Sequence, residues 1–233
     1  MDFDTLIEFD RQLLLFLNGS SSLYLDGLVR TLTNALTWVP LYVSLFYLVI
    51  KNNDTATQIL LVVACAVVCL LLTGTIDDTI VKPLVARWRP THDPVIGSMV
   101  DIVNGYRGGR FGFFSAHACN TFGIAVFFCW LVRSRLLSTA LVLWSLVNCW
   151  TRLYLGVHFP GDILCGLLWG AIGASLAYLL YHRLRLRLTV SRRLVSSQYT
   201  STGYLHSDVN IVVAVLVFTL VYALLRACLF LYE

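Results

Sequence analysis

Charge is what this chain has little of. Only 13% of its 233 residues are Asp, Glu, Lys or Arg, about half of the roughly 25% usual in soluble domains. That shortage excludes an ordinary cytosolic enzyme. The 58% hydrophobic content and mean hydropathy of +0.76 exclude disorder as well, because so apolar a chain must bury surface in protein or in lipid. No basic face with interleaved aromatics occurs, so the net charge of +4 does not point to nucleic acid. Metal-type cysteine spacing is missing too: Cys65, Cys69, Cys119, Cys129, Cys149, Cys165 and Cys228 lie within or beside apolar runs and read as small hydrophobes. The first 22 residues have no basic region ahead of an apolar one, which argues against a signal peptide. Leu6, Phe9, Leu13 and Phe16 at helical spacing predict an interfacial amphipathic helix there instead. Repeats and low-complexity tracts are also lacking, and the chain reads as one domain.

What is present is a series of uncharged runs. A helix needs roughly 20 mostly apolar residues to cross the hydrocarbon core, and six candidates emerge: Thr31–Ile50, Thr55–Ile76, Ala118–Val132, Leu136–Thr151, Ile163–Tyr181 and Val209–Leu225. The expected fold is therefore an all-α polytopic membrane helix bundle. Residues 55–182 form its core, 183–208 a basic cytoplasmic linker with Arg183, Arg185, Arg187, Arg192 and Arg193, and 209–231 an additional C-terminal span. Gly166, Gly170 and Gly173 in the fifth run predict close helix packing.

Successive spans alternate direction, so the loop after the second and the loop after the fourth emerge on one side. The unusual polar residues sit in those two loops. Counting Lys and Arg gives eight on the linker face and nine on the other, or eight against six once Lys82, Arg89 and Arg152 are set aside as substrate-held. The positive-inside rule then puts the linker in the cytoplasm and the polar loops and both termini outside.

Three segments carry chemistry. Lys82 and Arg89, the latter followed by Pro90, are seven residues apart, and two turns of helix would project both cations from one face. Phe114-Ser115-Ala116-His117 opens the third run. Arg152, His158 and Asp162 precede and begin the fifth. Three cations suit a phosphoryl group, whose three equatorial oxygens need balancing charge during in-line displacement, and Arg can meet two of those oxygens at once. Ser115 and backbone N–H groups at Ala116 would add hydrogen bonds at a helix start. In this reading His158 is the nucleophile, Asp162 accepts from its ring N–H as in a triad, and His117 is general acid and then base.

These segments resemble the three signature motifs of the type 2 phosphatidic acid phosphatase superfamily, integral-membrane lipid phosphatases related to soluble vanadium haloperoxidases. Lys, six residues, Arg-Pro is intact at Lys82, Arg89 and Pro90. Pro-Ser-Gly-His keeps Ser115 and His117, with Phe114 and Ala116 replacing Pro and Gly. Ser-Arg, five residues, His, three residues, Asp is kept at Arg152, His158 and Asp162, with Thr151 for Ser. The resemblance covers residues 55–182. It implies the roles above, no metal and no other cofactor, and a lipid phosphate or diphosphate as substrate. The Gly-to-Ala change is expected to tighten a backbone turn at the phosphate.

Within that family the compact chain points to a bacterial envelope enzyme with its site on the outer, periplasmic face of the inner membrane. Undecaprenyl diphosphate is the first expectation. Lipid A, phosphatidylglycerophosphate and phosphatidate are the alternatives. A non-catalytic lipid-headgroup transporter or scaffold would use the same cations, but would not need an oriented His158 and Asp162. Singly, Lys82, Arg89 and Arg152 read equally as interfacial anchors, and Asp162 as a helix cap. Asp77 and Asp78 read as the end of the second span. Arg107 and Arg110, with glycines around Tyr106, read either as a lid or headgroup pocket or as a solvated loop.

Overall fold

Small polar residues punctuate the apolar runs, and the helices start where they stand. The computed structural model describes residues 2–188 and 197–230. Within these the helices are α1 (Phe3–Leu17), α2 (Leu23–Thr33), α3 (Ala35–Lys51, its first turn 3-10), α4 (Ala56–Val85), α5 (Ala116–Val132), α6 (Arg135–Tyr154), α7 (Pro160–Leu188) and α8 (His206–Leu229). Ser22, Thr55, Ser115 and Ser134 each accept a hydrogen bond from the backbone N–H three residues on, satisfying an N–H that the first turn leaves unpaired. Among the described residues there are no strands, only the isolated bridges Trp88 to Phe111 and Tyr199 to Leu205.

The bundle is all-helical, as expected, and among the described residues the count of six spans is not confirmed. By length and composition four helices can cross a membrane, α4, α6, α7 and α8, or five if the α2–α3 pair is one span. The expected span Thr31–Ile50 is broken at Asn34, where α2 and α3 meet at 65°. Asn34 caps the new start by accepting from the Leu36 N–H, and Trp38 Nε1 and Thr37 Oγ1 donate back to the Leu32 and Thr31 carbonyls at 2.8 and 2.7 Å. Those bonds satisfy the carbonyls freed by the break, the condition for a broken helix at membrane depth. The expected span Ala118–Val132 becomes α5, 17 residues long, at the lower limit of crossing length. Conversely, α4 runs nine residues past the expected Ile76, through wide π-type turns at Leu71–Thr75 and Asp77–Val81.

Helices α5 and α7 form the centre. A Cβ on Gly166 would lie 2.8 Å from the Ser115 carbonyl oxygen, and one on Gly170 2.6 Å from that of Cys119, so the glycines are what let these backbones touch. Thr73 to Asn120 (2.6 Å), Thr121 to Ser145 (2.9 Å) and Trp169 Nε1 to the Leu72 carbonyl (2.9 Å) join α4, α5, α6 and α7 by interhelical hydrogen bonds. On the far side of α7, Leu164, Leu168, Ile172, Leu176 and Leu179 are all more than half exposed, a stripe that only lipid would cover. All seven cysteines are free.

The N-terminal helix is amphipathic, with Leu6, Phe9 and Phe16 exposed while Leu14 is fully buried. Of the expected linker, Arg183, Arg185 and Arg187 belong to the last turns of α7, whereas Arg192 and Arg193 lie outside the described residues. Asn52 ties the far end together, donating to Asp208 (3.0 Å) and accepting from the Leu205 N–H (2.7 Å). The opposite end gathers α1, α2, the 86–115 loop, the turn between α6 and α7, and the end of α8.

Candidate active site

That gathered end places all three sequence motifs together. The turn from α6 to α7 begins with Arg152 and reverses at Gly156, whose φ of +63° suits glycine. Its backbone is held by Val157 N–H to the Arg152 carbonyl (3.2 Å). His158 follows, 1% exposed, and Asp162, 0% exposed, lies in the first turn of α7. Ser115 is likewise wholly buried at the start of α5, and its N–H donates to the Asp162 carbonyl at 3.1 Å.

Gly112 marks the point of convergence. A Cβ built there would stand 2.9 Å from Arg89 Cγ, 3.4 Å from Asp162 Oδ2 and 3.5 Å from His158 Nδ1. Arg89 Nε donates to the Phe111 carbonyl (3.0 Å), and its N–H donates to that of Arg110 (3.0 Å). Arg152 donates to Thr33 Oγ1 at 2.5 Å and to the Tyr106 hydroxyl at 3.2 Å. His117, in the first turn of α5, lies within electrostatic reach of His158, Arg152, Arg89 and Lys82.

Three expectations are corrected by this geometry. Lys82 and Arg89 do not share a helical face. Helix α4 ends at Val85, and Ala86 turns left-handed with φ +49°. Arg89 enters through an extended segment bridged to the 111–112 strand-like stretch. The pair His158 to Asp162 stands at 3.7 Å between Nδ1 and Oδ2, beyond hydrogen-bond range; Asp162 Oδ2 instead accepts from the Phe159 N–H (2.9 Å) and Oδ1 from Arg87 (2.6 Å). Finally, Ala116 is the first residue of α5 and right-handed helical, a conformation alanine favours, so no tightened turn results there.

Residues the motifs did not single out complete the site. Arg87 bridges Asp162 and Asp10 of α1, each at 2.6 Å, and its guanidinium lies 4.3 Å above the Phe159 ring. Asp10 also accepts from the Gly161 N–H at 2.7 Å. Asp77, fully buried, pairs with Lys82 at 2.9 Å and accepts from the Phe114 N–H at 3.2 Å, while Asp78 takes Lys82 from the solvent side. Asp77 had a legible signal, a carboxylate five residues before a cation on one helix. Asp10 and Thr33 had none. In the 105–110 loop, Tyr106 stands beside Arg152, and Arg110 lies 4.4 Å above the Trp88 ring.

Electrostatics follow from this crowding. Burial, then Arg89, Arg152 and Lys82, hold the His158 imidazole well below its ordinary value, so the ring is neutral at pH 7. Burial and the neighbouring Arg152 also lower Arg89. The Tyr106 phenol would be raised by burial, but Arg152 and Arg89 outweigh that and bring it below its usual value. Arg87 is the converse case, where burial would lower it and the carboxylates of Asp162 and Asp10 raise it.

Cations gathered around a neutral histidine, with Arg152 buried and Lys82 and Arg89 part-buried, have the charge that phosphoryl transfer calls for. Residues 59–186 match the PAP2 superfamily, and the chain belongs to it. It is 44% identical to a lipid A 4'-phosphatase of Bacteroides thetaiotaomicron, over 78% of this chain and 81% of the relative. A lipid A 4'-phosphatase of Porphyromonas gingivalis is 32% identical over 76% of this chain and 74% of its own. An Escherichia coli protein, YbjG, provisionally named an undecaprenyl-diphosphatase, is 44% identical over only 29% of this chain and 35% of its own. No solved structure matches. The protein is an integral membrane lipid phosphatase, a phosphoric monoester hydrolase.

Proposed function

We propose that this phosphatase removes the 4'-phosphate of a lipid A-type glycolipid. The reading rests on one observation above all: the similarity to lipid A 4'-phosphatases extends over about three quarters of the chain, including the α1–α2 or α8 regions outside the family core. Undecaprenyl diphosphate, the first expectation from the sequence, gives way, because similarity to the relative bearing that name is confined to 73 residues.

In the proposed reaction Arg89, Arg152 and Lys82 hold the phosphate oxygens with Ser115 and the N–H groups at Ala116. His158 attacks phosphorus through Nε2. The P–N bond forms as the P–O bond to the sugar breaks, and His117, neutral in the free protein through burial and the nearby cations and charged once the phosphate dianion offsets them, gives its proton to the leaving oxygen. Water then loses a proton to His117 and attacks the phosphohistidine, releasing orthophosphate and restoring His158. Asp162, locked by Arg87 and the Phe159 N–H, sits 3.7 Å from His158 Nδ1. A small inward movement on phosphate binding closes that gap and stabilises the charge developing on the ring. His158 is covered in the free protein, and the 105–110 loop carrying Tyr106 is the cover that opens. The site faces the periplasm of the inner membrane, in keeping with Arg183, Arg185 and Arg187 at the other end of α7.

Phosphate release from lipid A, undecaprenyl diphosphate, phosphatidylglycerophosphate and phosphatidate decides the substrate. Lipid A is expected to be turned over fastest, with its 4'-phosphate lost. Equal or faster release from undecaprenyl diphosphate overturns the reading.

A further inference from the structure

A cleft of about 1030 Å³ opens between the α2–α3 bend and the last turns of α8, at the upper end of volumes that hold drug-sized ligands. Its wall is part apolar, with Pro40, Val215, Phe218 and Tyr222, and part cationic, with Arg30 and Arg226. Neither arginine has a carboxylate partner among the described residues, since no ion pair includes them. Asp26, one turn before Arg30, is occupied by the Tyr154 hydroxyl at 2.6 Å, and Arg30 is set in place across the Phe230 ring at 5.3 Å.

The cleft borders the phosphatase site. Thr33, one helical turn beyond Arg30, accepts from Arg152, so the helix that walls the cleft also touches the phosphate-binding cation; one turn is only about 5 Å of rise. Its two walls come from α2–α3 and α8, both outside the stretch that matches the family. Two cations with no carboxylate partner among the described residues, above apolar walls, complement an anionic amphiphile: a second phosphate for the arginines and an acyl chain for Phe218 and Tyr222.

We propose that this cleft binds the second phosphate and an adjoining acyl chain of the same lipid whose first phosphate is hydrolysed at His158. The site thereby selects bisphosphorylated over monophosphorylated glycolipids. This rests on the lipid A reading.

The test uses the full chain in detergent micelles with two lipids of identical acylation, one carrying both phosphates and one the 4'-phosphate alone. The wild type is expected to favour the bisphosphorylated lipid through KM. In the double variant Arg30→Gln, Arg226→Gln, KM for that lipid is expected to rise about a hundredfold with kcat within twofold, so that the preference disappears, the loss of each of the two charge-assisted contacts to phosphate being worth about tenfold. Val215→Trp, which fills the apolar wall, is expected to raise KM for both lipids while turnover of a short soluble phosphate monoester stays as in the wild type. An unchanged KM in the double variant, or an equal rise for both lipids, overturns the second-phosphate site; an unchanged KM in Val215→Trp overturns the chain site. Failure of the lipid A reading looks different: the wild type then releases phosphate from the soluble monoester but from neither lipid, and both proposals fall.

Discussion

The family core, α4 to α7, and the flanks, α1, α2 and α8, contribute to one end of the bundle in different ways. The core supplies Lys82, Arg89, Ser115, His117, Arg152, His158 and Asp162. The flanks supply no motif residue, yet Asp10 of α1 fixes Arg87, Thr33 of α2 fixes Arg152, and α2 with α8 encloses the cleft. Reactive groups held by buried, satisfied neighbours stay in one geometry. The contrast teaches that chemistry and positioning are separable here: one belongs to three short motifs, the other to side chains that differ freely in sequence distance from them.

If that division holds, damage to the core abolishes turnover and damage to the flanks weakens it. His158→Ala is expected to cost more than about 1,000-fold in kcat for phosphate release, since it removes the proposed nucleophile; it should leave the thermal unfolding midpoint within a few degrees. Gly112→Ala puts a methyl group 2.9 Å from Arg89 Cγ, so that Arg89 must move, and in ordinary contact with Asp162 and His158. A displacement of that size costs on the order of a hundredfold in kcat/KM, and orthophosphate inhibition should weaken in parallel. In the flank, Asp10→Asn leaves Arg87 with one carboxylate of its two. About a tenfold fall in kcat with KM unchanged is expected, and a fall as large as that of Gly112→Ala would erase the distinction between core and flank.

Smaller effects probe the cover. Tyr106→Phe removes the hydroxyl that Arg152 now bonds and frees that cation for phosphate. The inhibition constant for orthophosphate should fall about threefold. The pH profile is the mildest test. Because burial and the neighbouring cations hold both His158 and His117 below 6.5, the nucleophile stays neutral as pH falls through 6.5 while the general acid gains its proton, so kcat/KM should rise there and decline only at lower pH. Stability runs the other way. Between the two values the unfolded chain binds more protons than the folded one, so stability is lost as pH falls through about 6.5, which a series of unfolding midpoints would detect.

Much of this was legible in the order of residues. The charges at Asp54, Arg133 and Arg135 marked the start of α4, the end of α5 and the start of α6 to within two residues. Parity alone assembled the three motifs at one end. The glycines of α7 announced its contact with α5. Other features were invisible for physical reasons. Thr31–Ile50 has no charge to mark a break, and the bend at Asn34 arises because the amide caps a new helix start and Trp38 and Thr37 satisfy the carbonyls left behind. The extension of α4 to Val85 carries Asp77 and Asp78 into a helix where charge suggested an end, because Lys82 pairs with both.

What the sequence determined by itself is the solvent and the reaction: a charge-poor chain must place its spans in lipid, and the few charges left at span ends have the types and spacing that phosphoryl transfer requires. Only the tertiary structure decided how those groups are held. The contacts of Asp10 with Arg87 and of Thr33 with Arg152 span 77 and 119 residues, and no local periodicity encodes a partner so far along the chain. Such pairs exist because partial burial leaves each charge little water to turn to, so whichever polar group the packing brings within reach becomes its partner.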